Sequence, residues 1–247
     1  FALAYNRRAM TERGLVNCWE PQQFPHRQPG IPEDVTCSVL VFRQRGGPRS
    51  YVLWSIGAHA TVLGKTSRLV SADYPGLACS LIEESIPGAR SLFLQGASGE
   101  TQPWIATQED PEQLKPVATA AASFVSLLSQ AGRPVNLQYP WFQCRSKTVT
   151  IGEKELDISV WKLGQVWLVA LPVELFASLS KQLREQIEGE VVLATLSNGA
   201  AGYYPAEDDF PKGGYEVNAA NHQGVRPGDG ESLVRKVIEL ASEFKAP

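Results

Sequence analysis

The segment from Tyr51 to Pro103 constrains the fold more than any other. Tyr51 to Ile56 is an apolar, β-rich run closed by Gly57, and a single histidine, His59, follows it. From Tyr74 to Ser85 the apolar residues Leu77, Cys79, Leu81 and Ile82 fall at helical spacing, with Pro75 near the first turn. Ser71 or Asp73 can cap that helix, since a side-chain oxygen satisfies the free amides of a helix start. Ala89 to Leu94 reads as a short strand running into a Gly-rich loop, Gln95 to Pro103. Strand, loop, helix, strand, loop is the signature of a βαβ unit. The expected class is α/β: a mixed sheet with helices packed on it and active-site loops at the strand ends.

The rest of the chain extends this pattern. Thr36 to Phe42 and Tyr51 to Ile56 form a hairpin across Gly46-Gly47-Pro48. A helix begins at Asp110-Pro111, runs through an Ala-rich stretch to Leu128 and stops at Gly132-Arg-Pro134. Val135 to about Asp157 is β-like. Ile158 to Leu163 and Val166 to Leu171 form the clearest hairpin. Pro172-Val-Glu174 starts a helix that continues through Arg184. Glu190 to Leu196 is a buried strand, residues 199–230 form a long loop rich in Gly, Pro and Tyr, and Glu231 to Phe244 is an amphipathic helix. A loop that long inside a compact domain is usually functional or disordered. Cys18 to Asp34, rich in Pro and Gln, reads as loop, with His26 solvated in it.

Composition excludes several classes. The net charge of −3 gives no broad electrostatic attraction to nucleic acid or anionic membrane. No apolar run approaches the ~20 residues of a membrane span. The four cysteines are widely spaced and form no C-x-x-C pair, so a cysteine zinc site is not expected; their number permits disulfides without showing any. Cys79, on the first helix, is expected to be a buried thiol. Phe1-Ala-Leu-Ala-Tyr5 is not a signal-like start, and a first residue other than Met implies upstream residues removed or carried by a separate chain.

Four loops each follow an expected strand: His59-Ala-Thr61, Gly96 to Pro103, Pro172-Val-Glu174 and Asn198 to Pro205. If their strands lie in one sheet with one polarity, the loops share an edge. They offer an imidazole, a carboxylate, a phenol and Gly-rich turns. Imidazole and carboxylate are ordinary zinc ligands, and glycines let backbone amides approach a substrate. Bland readings stand beside these. A lone histidine after a strand is commonly a hydrogen-bonding residue, Glu174 at a helix start complements the helix dipole, and Tyr203 can be core. Asp73 reads as a cap rather than a partner of a ligand histidine. Glu100 can be a base or can orient its loop. Arg7 and Arg8 suit either a polar head group or the surface, and His222 suits solvent.

Taken in order, Asn6-Arg-Arg8, Ala58-His59-Ala-Thr61, Ser71-Ala-Asp73-Tyr-Pro-Gly76, Leu94 to Pro103, Leu171-Pro-Val-Glu174, Leu196-Ser-Asn198, Gly202-Tyr203 and Gly214-Tyr215-Glu216 resemble the neutral/alkaline non-lysosomal ceramidase family. The resemblance spans nearly the whole chain and corresponds to the later part of that family's catalytic domain. It implies one catalytic domain over residues 1–247, lacking its N-terminal portion, and a zinc-dependent hydrolase of the amide of an N-acylated sphingolipid. Carried over by motif, His59, Glu174 and Tyr203 match metal ligands, with Val173 where the family has glycine, and Tyr215 matches a tyrosine near the scissile group. The resemblance also implies a secreted or periplasmic setting, a lipid amide substrate, and a separate chain as one possible carrier of the upstream part.

Two departures qualify this. The family's first zinc histidine lies in a Thr-His-Thr-His-like motif upstream of the Asn-Arg segment, and residues 1–58 hold no match; an incomplete ligand set would leave the zinc absent. Gln102 occupies the place of a catalytic serine in a Gly-Asp-x-Ser-Pro-like loop, with Ser98 and Thr101 nearby but shifted. Two alternatives therefore stand: a metal-dependent hydrolase of the same fold acting on another amide or ester, and a non-catalytic subunit or binding module.

Overall fold

The computed structural model describes residues 3–12, 14–19, 30–64, 66–135, 137 and 142–244; His26 lies outside them. Its first sheet contains β4 (Cys37–Arg43), β5 (Ser50–Ile56) and β6 (Ala89–Gln95), in that order, with β5 antiparallel to β4 and parallel to β6. Helix α1 (Asp73–Ser85) makes the crossover from β5 to β6, which completes the expected βαβ unit. The second sheet has the order β12-β10-β9-β8, from β8 (Phe142–Ile151), β9 (Lys154–Leu163), β10 (Val166–Ala170) and β12 (Glu190–Ala194). Here β10 and β12 are parallel across a second βαβ unit, whose helix α3 spans Ala177–Gln186.

The period-2 alternation of the strands in these two sheets separates three of the cores among the described residues. Val52 and Trp54 of β5 pack under α1 and α2 (Leu114–Ala131), against Tyr74, Ile82, Val117, Ala121 and Val125. On the opposite face, Leu40 and Leu94 meet Val166, Leu168, Ala170, Val192 and Ala194 of the second sheet. The remaining side chains of that sheet, including Ile158, Val169 and Leu193, pack under α3 and the C-terminal helix α5 (Asp229–Ser242). The layers thus run helix, sheet, sheet, helix. Because β10 and β12 lie between two covered faces, they are buried along nearly their whole length, as expected for strands covered on both sides.

The expectation of one sheet carrying all four loops is corrected by this arrangement: β5 and β6 belong to one sheet, β10 and β12 to another. The loops still converge, because the two sheets are fastened where their strands end. The Thr195 amide donates to the Gln95 carbonyl at 2.7 Å, and the Thr195 hydroxyl donates to the Gly96 carbonyl at 2.7 Å. Deeper between the sheets, the Ser55 hydroxyl donates to the Leu193 carbonyl at 2.6 Å.

Two further expectations change. No helix starts at Pro172; Glu174–Leu175 is a two-residue strand, β11, and α3 begins only at Ala177. The long loop 199–230 carries structure of its own: β13 (Tyr203–Tyr204), a 3-10 segment at Glu207–Lys212 and helix α4 (Tyr215–His222). At the N-terminal end, β1 (Ala4–Asn6) pairs with β7 (Thr101–Pro103), and β2 (Arg8–Thr11) forms a hairpin with β3 (Gly14–Asn17). All four cysteines are free thiols, with Cys18 buried, Cys79 half-buried and Cys144 exposed. Among the described residues no helix is long and apolar enough to cross a membrane.

Candidate active site

His59 is held by its neighbours' backbone. The preceding carbonyl, of Ala58, accepts from the Tyr74 hydroxyl at 3.0 Å and from the Gln95 amide at 3.0 Å. The His59 amide donates to the Thr101 carbonyl at 3.3 Å. Beyond it, the Asp73 carboxylate accepts from the amides of Val62, Leu63 and Tyr74 at 3.0, 2.9 and 2.8 Å. Asp73 therefore ties the loop after His59 to the start of α1 instead of contacting the imidazole. The loop also needs glycine at its root: a Cβ on Gly57 would stand 2.2 Å from the Ala97 carbonyl oxygen.

Glu174 arrives from the other sheet. Its amide donates to the Gly202 carbonyl at 2.8 Å, and β11 pairs in parallel with β13 so that Glu174 is in register with Tyr203 and Leu175 with Tyr204. The Glu174 carboxylate then reaches across, and its Oε2 stands 2.9 Å from His59 Nε2. Both side chains are only partly exposed. The helix-dipole reading of Glu174 does not hold, since α3 starts three residues later. The carboxylate at that helix start is Glu100, which accepts from the Ala177 amide at 2.9 Å. Burial pushes the Glu100 carboxyl up to about 8, and the bond from Ala177 only partly opposes this.

Gly99 lets these pieces approach. Its amide donates to the Leu175 carbonyl at 2.9 Å, and an added Cβ would lie 2.6 Å from the Phe176 ring and 2.9 Å from the Glu174 carbonyl oxygen. The Gly99 carbonyl accepts from Arg7 Nη2 at 2.8 Å.

Arg7 is buried, which corrects the surface reading. Its Nε donates to Glu216 Oε1 at 2.7 Å, and Nη2 lies 3.4 Å from the Tyr203 hydroxyl. Burial alone would lower the Arg7 pKa; Glu216 and Tyr203 outweigh it and hold it raised. Asn17 also donates to Glu216 Oε1, at 2.7 Å. Arg8 is buried too, donating to the Gly213 carbonyl at 2.8 Å.

Tyr203 and Tyr215 form an edge-to-face pair with ring centres 5.8 Å apart, and Trp19 meets Tyr215 the same way at 5.4 Å. Tyr215, the first residue of α4, is half exposed. Burial pushes the Tyr203 phenol above its ordinary value; Arg7 opposes this, and Glu174 and Tyr215 add to it. His59, Glu174, Tyr203 and Tyr215 are thus brought together in a chain of neighbours. Gln102 sits one layer behind. It is buried, in register with Tyr5, and its amide donates to the Tyr5 hydroxyl and, at 2.7 Å, to the Trp19 carbonyl. His222 is exposed at the far end of α4.

Among the described residues no group of three His, Cys, Asp or Glu side chains is placed to hold a metal. The imidazole and carboxylate at 2.9 Å, with the Tyr203 phenol beside the carboxylate, form a nitrogen and oxygen donor set of the kind zinc accepts.

No protein-family model matches the chain, and no curated protein matches it. Solved structures do. A neutral ceramidase from Pseudomonas aeruginosa aligns over 100% of the chain with a TM-score of 0.71 at 13% sequence identity. The fold is that of neutral ceramidase. A ceramidase complexed with C2 aligns over 82% of the chain with a TM-score of 0.69, also at 13% identity. The chain spans about half the length of these ceramidases, 52% and 46% respectively. At this identity the likeness is one of fold.

Proposed function

We propose that the chain provides part or all of a zinc-dependent amidohydrolase centre that cleaves the amide of an N-acylated lipid, as the neutral ceramidase fold suggests. The observation that carries this reading is the meeting at 2.9 Å of His59 Nε2, on the loop after β5, and Glu174 Oε2, on β11. Two segments that meet only through tertiary packing have no local reason to place an imidazole against a carboxylate. His59, Glu174 and Tyr203 would hold the zinc, which would activate water and polarise the amide carbonyl.

The chain's own residues supply the rest. Tyr215 is half exposed and packs edge-to-face on Tyr203, so its hydroxyl would be available to donate to an oxygen on which charge develops. Arg7 fixes the Tyr203 ring and, through Glu216, the start of α4 that carries Tyr215. Trp19, held by Gln102, closes the other side of Tyr215. Gln102 in this reading acts through Trp19.

A second reading follows from Gln102. Its amide is committed to Tyr5 and the Trp19 backbone, so the loop presents no nucleophile at that position. A hydrolase of the same fold acting on a different amide or ester accommodates this directly.

The test is zinc content by elemental analysis together with turnover of a panel of N-acyl lipids and simple N-acyl amines. The expected result is zinc at one per chain, lost with activity in His59→Ala and in Glu174→Gln. Wild-type protein that neither retains zinc nor hydrolyses any amide in the panel would overturn the reading in favour of a non-catalytic module.

A further inference from the structure

Strand β8 lies at one end of the second sheet, and among the described residues no strand pairs with its outer side. It runs for 10 residues against β9 in unbroken one-to-one register, with no bulge to bend it away. The hairpin closes on the pair Ile151 and Lys154 across Gly152-Glu153, where Gly152 takes a φ of 58°, the positive value such a turn requires at its first position. A closing pair of this kind exchanges both of its backbone bonds, and bonded and non-bonded pairs alternate from there. Val149, Lys147 and Arg145 therefore bond to β9, whereas Thr150, Thr148, Ser146 and Cys144 turn their amides and carbonyls outward.

The devices that commonly blunt an open edge are bulges, prolines and projecting lysines. This edge lacks them. Its outward positions hold small, exposed hydroxyl and thiol side chains. Two of these are tied back to β9: Ser146 Oγ lies 2.8 Å from Ser159 Oγ, and the Thr148 hydroxyl donates to Asp157 Oδ1 at 2.6 Å. The basic side chains of the strand lean onto the end of α5. Arg145 Nη2 donates to the Glu243 carbonyl at 3.3 Å, and Lys147 Nζ stands 3.9 Å from Glu243 Oε1.

The charge beside the edge is one-sided. Arg145 and Lys147 are in register with Val160 and Ile158, which pack under α5, so they share the face that this helix covers. The Lys236 ammonium, bonded to Glu239 at 2.8 Å, holds the Glu239 carboxyl below its ordinary value, with Lys147 and Arg235 adding to the effect. Arg145, Lys147, Arg235 and Lys236 thus outnumber the carboxylates among them, Glu239 and Glu243, although the whole chain carries a net charge of −3. The acids of β9, Glu155 and Asp157, are in register with Thr150 and Thr148 and belong to the opposite face.

We propose that the outer edge of β8 receives an extended segment of another polypeptide, added as a further strand with acidic side chains on the α5 side. The backbone supplies the ladder, and the basic face sets the chemistry of the partner. A second copy of this chain fits less well, because antiparallel pairing about Ser146 would set Arg145 against Lys147.

The test uses a fluorescein-labelled peptide of alternating threonine and glutamate, with alternating threonine and glutamine as its neutral control. Fluorescence polarisation should show saturable binding of the acidic peptide, at least about fivefold tighter than the neutral one. Hydrogen exchange at Cys144, Ser146, Thr148 and Thr150 should slow at least about tenfold in the complex. Thr148→Pro removes an outward amide and no bond to β9, so thermal unfolding should stay unchanged while binding weakens at least about tenfold. The double variant Arg145→Glu, Lys147→Glu keeps the backbone edge and should erase the preference for the acidic peptide. If Thr148→Pro shifts unfolding, the double variant and the exchange pattern decide alone.

No binding of the acidic peptide to wild type, or binding that leaves the four outward amides unprotected, overturns the proposal. So does a dimer of wild type that Thr148→Pro abolishes, which would make a second copy the occupant. Protection of the same amides by phosphatidylserine vesicles in place of the peptide overturns it in favour of a membrane surface.

Discussion

His59 Nε2 lies 2.9 Å from Glu174 Oε2 although the two residues reach that point from different sheets. Neither side chain owes its position to its own strand alone. His59 is set by Tyr74, Gln95 and Thr101 around the end of β5, and Glu174 by its pairing beside Tyr203. The contact therefore reports on the packing between the halves of the molecule.

Gly99→Ala should separate them. The added Cβ would press on the Phe176 ring at 2.6 Å and the Glu174 carbonyl at 2.9 Å, so β11 must shift. We expect a loss of about 1–3 kcal/mol in urea unfolding. Zinc affinity should fall by a larger factor than in a stability-matched substitution on the outer face of α5, as equilibrium dialysis would show.

The Arg7–Glu216 pair is buried on both sides. Arg7→Met leaves the Glu216 carboxylate without its charge partner and should cost about 3–5 kcal/mol. The double variant Arg7→Met, Glu216→Gln should be less destabilised than the sum of its single changes, because the unpaired charge is gone. A double-mutant cycle by chemical denaturation measures the difference; additive losses would contradict the pairing.

Glu100 predicts a pH dependence with a definite sign. Its folded pKa, about 8, is above its ordinary value of 4.5, so the folded state holds the proton more tightly. The resulting stability is fully present below about pH 4.5 and is lost as pH rises through about 8. Glu100→Gln keeps a carbonyl oxygen for the Ala177 amide but cannot ionise. Its stability should be flatter across that window than the wild type's, by a slope approaching about 1.4 kcal/mol per pH unit. Thermal unfolding at a series of pH values tests this.

Tyr203 gives a spectroscopic readout independent of turnover. Without metal its phenol should ionise above the ordinary tyrosine value, since burial disfavours the phenolate. The difference between wild type and Tyr203→Phe in a near-ultraviolet pH titration isolates it. Added zinc should bring a phenolate signal down to neutral pH. A titration unmoved by zinc would remove Tyr203 from the ligand set.

Much of this architecture was legible in the sequence, because apolar alternation and glycine placement are local signals. The run Tyr51 to Ile56, the helix after Asp73, the strand at Ala89 and the hairpin joining β9 to β10 all follow from side-chain period and turn residues. Pro172 resembles a helix start, whereas the two-residue strand that holds Glu174 exists only through its pairing with Tyr203 and Tyr204. Helix α4, eight residues long, is too short to be stable alone and depends on its tertiary contacts. The ion pair of Arg7 with Glu216 joins residues 209 apart, and opposite charge is the only trace it leaves in the sequence. Trp19 and Asn17, which complete that cluster, carried no signal at all.

The bonds from Thr195 to Gln95 and Gly96 and from Ser55 to Leu193 have a mechanical consequence. They set the shear position of one sheet over the other, and with it the width of the gap between imidazole and carboxylate. A ligand that bridges the gap must in turn resist that sliding. Hydrogen exchange at the Thr195 amide is then a gauge of occupancy at a centre it does not touch.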